Sequence, residues 1–504
     1  METWFIVIVS LCIAASLKAL FNIFNPNIGL PPGPLSFTII GNFLLHRKSP
    51  LELHYFVQTL LPKYGPMITL NIYSNPTIFI SDRGLAHQAL IQTGAVFADR
   101  PSPSNLNRNR TTLIGPAGYG PTWRLLRRNL TAEILHHSRL YLYSNARKQV
   151  LQILLDCFNA KCKSGEDFRL IDHFQSALYS LVVLMCFGDK LDQKKSKEIE
   201  DVQCRLMLSS RRFSKLNFWP RLTKVLFRKQ NEEFLQIRQQ QDEVLMPMIE
   251  ERQKTLRMAK LNVKEEVNDE WFRAYVDTLF DLQLPEEKRK LTRKEIMSLS
   301  SEFLLNGAIT TSTTLQWTMA NLVKYPHIQE KLLTEIKGVV GDAATEVQED
   351  DLLRMPYLKA VILETLRLHP PVPFLAPHAV TEDVVLNGFL VPKKASIYFL
   401  VADMGWDSKV WDDSMTFKPE RFLSGEEFDI TGSREIKMMP FGVGRRICPG
   451  IGLAMLHLEY FVANFIWNFE WKTVDGDMVS LEEKQEIVTV MKNPLQVHLN
   501  PRLP

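Results

Sequence analysis

A glycine-rich decapeptide near the C-terminus constrains this chain more than any other feature. It reads FGVGRRICPG over residues 441–450 and leads directly into a long apolar segment. Its first two glycines permit tight or left-handed turns. Pro449 suits the first turn of a helix predicted from about Gly450 to Phe465, which places Cys448 at the positive end of that helix. A cysteine in that position favours the thiolate, the form that binds metal ions.

Other positions of the decapeptide suit a flat, anionic ligand. Arg446 offers fixed donors to an anionic group, and Gly450 lets a flat ligand approach the backbone. A lone cysteine is most often an ordinary buried thiol. Here, however, Phe441, Gly444, Arg446, Cys448 and Gly450 match all fixed positions of F-x-x-G-x-R-x-C-x-G, and a chance match in the chain is about one in ten thousand. The segment resembles the cysteine loop of the cytochromes P450. That resemblance implies Cys448 as the axial ligand of haem b iron, with Phe441, Arg446 and Gly450 contacting the haem.

Composition sets the outer limits of the fold. The chain has 504 residues, of which 45% are hydrophobic and 23% charged, as in an ordinary globular protein with a large core. A formal net charge of +4 is small for this length and argues against nucleic-acid binding. The six cysteines lack the spacing of a zinc site or a disulfide framework, so free thiols in a reducing compartment are expected.

The N-terminus has the character of a membrane anchor. Trp4–Phe24 is almost wholly apolar and long enough to cross about 30 Å of hydrocarbon. An acidic residue precedes it and basic residues follow it, which places the body of the protein on the cytoplasmic side. A cleaved signal peptide is the alternative, but no basic residue opens the segment and its apolar run continues past the possible cleavage site Ala14-Ala15-Ser16. We therefore expect a single-pass transmembrane anchor in residues 1–24.

A proline-rich spacer follows the anchor in residues 25–40. It contains Leu30-Pro31-Pro32-Gly33-Pro34, a stiff sequence that resembles the hinge of microsomal P450s. That resemblance implies attachment to the endoplasmic reticulum membrane. No linker-like tract divides the remaining chain, so residues 41–504 are expected to form one haem-thiolate catalytic domain.

Apolar periodicity predicts a fold that is mainly α with small β-sheets, an α+β arrangement that fits the P450 fold. Alternating apolar residues predict a hairpin over Met67–Ser81. The clearest helices are predicted over about Pro121–His136, Ile171–Phe187, Leu291–Lys324, His327–Val339 and Pro356–His369. Short strands are predicted over Val384–Leu386, Ser396–Phe399, Ile487–Val490 and Leu495–Leu499.

A charged pair on one predicted helix and a segment downstream of it both match patterns of the P450 family. Glu364 and Arg367 are three residues apart and share a helix face, where an exposed pair contributes only a few tenths of a kcal/mol. The pair matches the P450 pattern E-x-x-R, and FKPERF over residues 417–422 resembles the family's PERF motif. The resemblance implies that Glu364, Arg367 and Arg421 form a buried network that retains the haem and is structural rather than catalytic.

Three further residues are candidates to hold the haem propionates. Trp123 and Arg127 are four residues apart on a predicted helix and match W-x-x-x-R, so an indole N–H and a guanidinium share one face. His378 lies in a segment that resembles the P-H-x-x-x pattern. An amphipathic helix with a solvated arginine, and a turn histidine, are the ordinary alternatives. Together with Arg446 these residues make a coherent set.

The chain departs from the family where oxygen is activated. The pattern A/G-G-x-D/E-T-T aligns with residues 306–311, so that Gly307, Thr310 and Thr311 match while Ile309 occupies the position of the acid. Isoleucine neither carries a proton nor forms a hydrogen bond. The resemblance gives Thr310 and Thr311 catalytic roles in proton delivery. A threonine hydroxyl that only bonds a carbonyl of its own helix is the alternative.

These features together resemble the plant A-type microsomal P450s. The resemblance implies a monooxygenase that inserts one oxygen atom from O2 into an apolar small molecule, with NADPH electrons supplied by NADPH–cytochrome P450 reductase. A basic cluster of Arg124, Arg128, Lys437 and Arg445 would attract an acidic reductase. Two alternatives stay open, a reductase-independent isomerase or dehydratase and a haem-binding protein of low activity.

Overall fold

The computed structural model describes residues 10, 29–34, 48–72, 75–101, 112–164, 169–188, 193–213, 228–261, 273–393, 395–425, 427–474 and 479–502. Apart from Ser10, the predicted anchor lies outside the described residues. The chain divides into two compact units. The smaller unit comprises Met1–Pro101, Pro373–Met404 and Ile430–Arg446, and the larger unit comprises Ser102–Val372, Gly405–Asp429 and Ile447–Pro504.

The smaller unit is built on a three-stranded sheet. Its helices and strands are α1 (Pro50–Tyr64), β1 (Met67–Ile72), β2 (Asn75–Ile80), α2 (Arg83–His87), β3 (Val384–Leu386), β4 (Phe389–Val391) and β5 (Ser396–Phe399). The sheet order is β1-β2-β5, with β1 and β2 antiparallel and β2 and β5 parallel. Strands β3 and β4 pair separately as an antiparallel hairpin. The predicted hairpin over Met67–Ser81 is confirmed.

Part of the proline-rich spacer packs on this sheet. The Thr69 N–H of β1 donates to the carbonyl of Pro32 over 2.9 Å. A Cβ at Gly33 would lie 1.9 Å from the carbonyl oxygen of Thr69, so only glycine fits there. This end of the spacer is therefore part of the smaller unit.

The larger unit is mainly helical. Its helices are α3 (Pro121–Glu133), α4 (His137–Leu140), α5 (Ser144–Ser164), α6 (Leu170–Phe187), α7 (Gln193–Phe213), α8 (Arg228–Leu261), α9 (Tyr275–Leu279), α10 (Arg293–Lys324), α11 (Pro326–Val340), α12 (Pro356–Leu368) and α14 (Ile451–Asn468). The short helix α13 (Val401–Trp406) includes the point where the chain enters this unit. Strand β6 (Phe469–Lys472) pairs with β9 (His498–Pro501), and β7 (Glu483–Gln485) pairs with β8 (Thr489–Met491), both antiparallel.

Helix α10 forms the centre of the larger unit. It begins in a capping box, in which the Thr292 hydroxyl accepts the Glu295 N–H and the Glu295 carboxylate accepts the Thr292 N–H. Most of its residues are buried. A Cβ at Gly307 would lie 3.1 Å and 3.2 Å from the two methyl groups of Val182 on α6. The glycine therefore lets these two helices approach closely.

The mainly helical architecture was predicted correctly, and the predicted helices start or end within a few residues of the observed ones. The two C-terminal strands were placed too early, because Leu495 and Val497 are buried without joining a strand pair. Among the described helices, α6 alone is long and apolar enough to cross a membrane, and 67% of that stretch is buried within the fold. Such burial is typical of a core helix.

Candidate active site

The cysteine loop is shaped by its glycines. Gly442 and Gly444 have φ angles of 67° and 70°, in the left-handed region, as predicted. A Cβ at Gly444 would also lie 2.1 Å from the carbonyl oxygen of Leu90. The following helix begins at Ile451 with Gly450 as its N-cap. The expectation that Pro449 occupies the first helical turn is therefore wrong, because the Gly450 carbonyl accepts the first helical hydrogen bond, from Ala454 at 2.8 Å.

The Cys448 thiol lies in the larger unit and is half-buried. Burial raises its pKa, while the Gly450 N–H that bonds the sulfur and the charge of Arg127 act in the opposite direction. The protein by itself thus disfavours the thiolate, contrary to the expectation from the helix end alone. A metal cation bound to the sulfur reverses this balance, since a coordinating thiol is deprotonated.

Helix α3 carries Trp123 and Arg127 on one face. The Arg127 Nη2 donates to the Ile447 carbonyl over 2.5 Å, directly before Cys448. The Trp123 Nε1 donates to the Ile114 carbonyl over 3.1 Å. The structure thus brings Arg127 to the cysteine loop but commits the Trp123 N–H to the backbone. Whether Trp123 holds a carboxylate stays a prediction.

The smaller unit gathers three nitrogen-rich side chains. Arg446 Nε donates to the Ala98 carbonyl over 2.7 Å, and His378 Nδ1 lies 2.8 Å from the Phe97 carbonyl. Arg100 Nη1 donates to the two carbonyls that precede His378, at 2.8 Å and 3.0 Å. The sequence patterns did not point to Arg100. Its position in Phe97-Ala98-Asp99-Arg100-Pro101, between an acidic residue and a proline, was the available signal.

The electrostatics of this cluster favour an anionic ligand. Burial, together with the charges of Arg100 and Arg446, lowers the pKa of His378 to about 3. Burial also lowers the pKa of Arg100 to about 10, against the opposing charge of Asp99. The His378 Nδ1 must donate to its carbonyl partner, so the neutral ring offers Nε2 only as an acceptor. An anion beside it would raise this pKa.

The predicted Glu364, Arg367 and Arg421 network is present and buried. The Arg367 Nε and Nη2 donate to the Glu364 carboxylate over 2.7 Å and 2.8 Å, and Arg421 Nε joins at 3.1 Å. The Arg367 Nη1 donates to the carbonyls of Gly405 and Ser414, both at 2.6 Å. A Cβ at Gly405 would lie 2.5 Å from the Arg367 carbonyl oxygen, so glycine is required at that position.

The predicted oxygen-activating turn lies in the middle of α10. The Thr310 hydroxyl donates to the Asn306 carbonyl over 2.9 Å, and the Thr311 hydroxyl to the Gly307 carbonyl over 3.4 Å. Ile309 is buried, with 5% of its surface exposed. In this structure both hydroxyls thus bond their own helix, as in the alternative reading of a lone threonine.

Comparison with known proteins identifies the family. The cytochrome P450 family model matches residues 31–499. The chain belongs to the cytochrome P450 family. It is 45% identical to cytochrome P450 89A9 of Arabidopsis thaliana, over 99% of this chain and 98% of that protein. It is 30% identical to geraniol 8-hydroxylase of Catharanthus roseus, over 97% and 98%. A solved zebra fish cytochrome P450 with progesterone has the same fold, with a TM-score of 0.71 and 24% identity over 89% of this chain and 99% of that one.

The protein is therefore a cytochrome P450 monooxygenase of the plant type. The family implies a haem with cysteine-thiolate ligation, a redox partner and a small-molecule substrate. The described residues fit that cofactor. The Cys448 sulfur is a soft donor, and it accepts the Gly450 N–H near the charge of Arg127. The cationic cluster around Arg100 suits the carboxylates of haem.

Proposed function

We propose that Cys448 is the ligand of the haem iron. The observation that carries this assignment is the setting of its sulfur, which accepts the Gly450 N–H and lies near the Arg127 charge. Both contacts stabilise negative charge on sulfur once the metal is bound. When bound, the haem would supply the activation of dioxygen, and the Cys448 thiolate would add electron density to its iron.

The protein's own residues hold and orient the cofactor. We assign Arg100, Arg446 and His378 to the haem carboxylates, with Phe441 and Gly450 in contact with the haem. Arg127 positions the cysteine loop through the Ile447 carbonyl. Glu364, Arg367 and Arg421 keep the segments that they join rigid. Thr310 and Thr311 are assigned to proton delivery at the turn that carries Ile309.

The reaction that this set supports is insertion of one oxygen atom from O2 into an apolar small molecule. NADPH is the electron source and NADPH–cytochrome P450 reductase the partner. Helix α3 supports the partner assignment, because Arg124 and Arg128 are exposed on it while Arg127 reaches the cysteine loop. An exposed basic surface beside the cysteine loop suits an acidic reductase.

We further propose attachment to the endoplasmic reticulum membrane through residues 1–24, with the catalytic domain facing the cytoplasm. The apolar Trp4–Phe24 segment and the charges that flank it support this topology. Protease treatment of sealed microsomes should degrade the catalytic domain. Full protection of the domain would contradict the orientation.

The ligand assignment is tested by Cys448→Ser. The variant should lose the absorption band that thiolate-ligated haem gives in its reduced carbon monoxide complex, together with NADPH- and reductase-dependent oxygen uptake. Cys157→Ser on α5 is the matched control and should keep both. A Cys448→Ser protein that retains the parent band would overturn the assignment.

A further inference from the structure

Helix α10 has one side that is not buried. Within Ile296–Val323 all residues are buried except five, which are partly or fully exposed to solvent: Ser298, Glu302, Asn306, Gly307 and Thr310. Four of them are spaced at four-residue intervals and follow one another along a single helix face. We call Ser298, Glu302, Asn306 and Thr310 the polar stripe. Asn306 is its most exposed member.

The stripe is closed at both ends of the Asn306 turn. On the N-terminal side, the Glu302 carboxylate accepts the N–H groups of Ile114 and Gly115 over 2.8 Å and 2.7 Å, so this segment covers the helix there. On the C-terminal side, every residue from Thr311 to Val323 is buried. The exposed surface of Asn306 thus lies between the turn held by Ile114 and Gly115 and the fully buried C-terminal part of the helix.

Asn306 alone in the stripe has an unused side chain. The Ser298 hydroxyl donates to the Lys294 carbonyl, and the Thr310 hydroxyl donates to the Asn306 carbonyl. Glu302 is held by the backbone groups just described. Across the part of the chain that the structure describes, the Asn306 amide makes no hydrogen bond. Its two N–H donors and its carbonyl acceptor are therefore available to a ligand or a water molecule.

Asn306 is also a departure from the family pattern, which has alanine or glycine at this position. The acid three residues later is replaced by Ile309, whose side chain is buried and apolar. The chain thus has an apolar residue at 309 and a polar one at 306, one turn before Thr310. The Thr310 hydroxyl and the Asn306 backbone are already joined by a hydrogen bond of 2.9 Å.

We propose that Asn306 is the positioning residue for water at the oxygen-activating turn. Its amide holds water beside Thr310, and protons pass through that water rather than through a carboxylate at 309. An amide orients water but does not itself supply a proton, so the proton comes from solvent through the water chain. This inference rests on the proposed haem-thiolate function.

The test uses the holoprotein with carbon monoxide as the probe. The C–O stretching frequency of the reduced complex responds to hydrogen-bond donors near the bound gas. Asn306→Ala should move this band to higher frequency, because a donor is lost. Alanine favours the helix, so this variant is expected to fold. Asn306→Gln should restore much of the parent frequency, and Ser298→Ala, in the same stripe, should leave it unchanged.

A second readout needs no substrate. With NADPH and reductase, Asn306→Ala should release several-fold more hydrogen peroxide per NADPH than the parent, since general acid–base assistance is typically worth about a hundredfold or more. If the C–O band and the peroxide ratio of Asn306→Ala both equal those of the parent, the proposal is wrong. Absence of the thiolate-type carbon monoxide complex in the parent protein would instead refute the proposed function.

Discussion

The larger unit contains two polar regions that differ in how many of their hydrogen-bond donors and acceptors have partners. In the network of Glu364, Arg367 and Arg421, the carboxylate and all nitrogens of both guanidinium groups have partners, and the central pair is fully buried. In the polar stripe of α10, the Asn306 amide is exposed and has no partner among the described residues. The first region has no free nitrogen donor for a ligand, whereas the second has the free amide of Asn306.

The difference separates structural from chemical roles. A buried ion pair is costly unless every donor and acceptor is satisfied, so a saturated network serves to hold segments in place. A group that must bind water or substrate has to keep free hydrogen-bonding capacity at some cost in stability. Saturation is thus a physical criterion for role that does not depend on resemblance to a family.

The largest expected effect comes from breaking the saturated network. Glu364→Ala leaves two buried guanidinium groups without their carboxylate, which typically costs about 3–5 kcal/mol. We expect little or no haem-containing protein, measured by the yield of the reduced carbon monoxide complex. Glu420→Ala is the matched control, because that neighbouring carboxylate binds Lys331 at the surface. Normal haem yield from Glu364→Ala would show that saturation does not identify a structural network.

A smaller but specific effect is expected when a proton donor is restored at 309. Ile309→Asp should lower the peroxide released per NADPH by several-fold, since general acid–base help is typically worth about a hundred- to ten-thousand-fold. The carboxylate must find water or Thr310 as a partner, because an unpaired buried charge is costly. Ile309→Asn, of similar size but unable to donate a proton, is the control. An unchanged peroxide ratio in a folded, haem-containing Ile309→Asp protein would show that proton supply is not limited at this position.

The saturated region could be predicted from sequence, because its chemistry is carried by short patterns with fixed spacing. Glu364 and Arg367 share a helix face by their spacing alone, and the cysteine loop needs its glycines at fixed positions. The long apolar helices were predicted for a similar reason, since burial imposes periodicity. By contrast, the polar helix α8, with Pro247 inside it, gives a weak periodic signal and was not among the predicted helices.

The remaining features depend on what is packed around a residue. The raised pKa of Cys448 follows from burial that no local pattern encodes. Arg100 becomes part of the cationic cluster only because the chain returns at 376–378 to meet it. The free amide of Asn306 is apparent only once Glu302 and Thr310 are seen to be engaged. Each of these is a long-range or three-dimensional property.

His457 is a third kind of polar group, which sharpens the comparison. It is fully buried on α14, and neither ring nitrogen has a partner among the described residues. Burial and the charge of Arg147 lower its pKa well below its ordinary value of 6.5. Below pH 6.5 the unfolded chain therefore binds a proton at His457 that the folded protein does not bind. As the pH falls further, this group lowers the free energy of unfolding by about 1.4 kcal/mol per pH unit.

His457→Leu should remove that contribution. Its free energy of unfolding, from denaturant titration, should decline less than that of the parent between pH 6.5 and 5.5, with a difference of about 1 kcal/mol. Above pH 7 the two proteins should differ in stability without further pH dependence from this site. Parallel stability curves across the whole range would mean that His457 is protonated in the folded protein or is satisfied by buried water.

The smallest expected effect, that of Trp123→Phe, tests whether Trp123 has a structural role or binds the haem. The Trp123 indole N–H donates to the Ile114 carbonyl, and the N–H of Ile114 donates to the Glu302 carboxylate. In this structure Trp123 therefore holds the segment at Ile114 in place. Trp123→Phe should lower the free energy of unfolding by about 1 kcal/mol, the usual net value of one hydrogen bond, and should leave the rate of haem loss to an acceptor protein nearly unchanged. Arg127→Gln should accelerate haem loss, because it removes a charge that favours the thiolate and a bond to the cysteine loop. Trp123→Phe could instead lose haem as fast as Arg127→Gln, with an unchanged free energy of unfolding. The indole N–H would then donate to the haem as well as to the Ile114 carbonyl. A hydrogen-bond donor that has a backbone partner in the ligand-free protein could in that case still bind the cofactor.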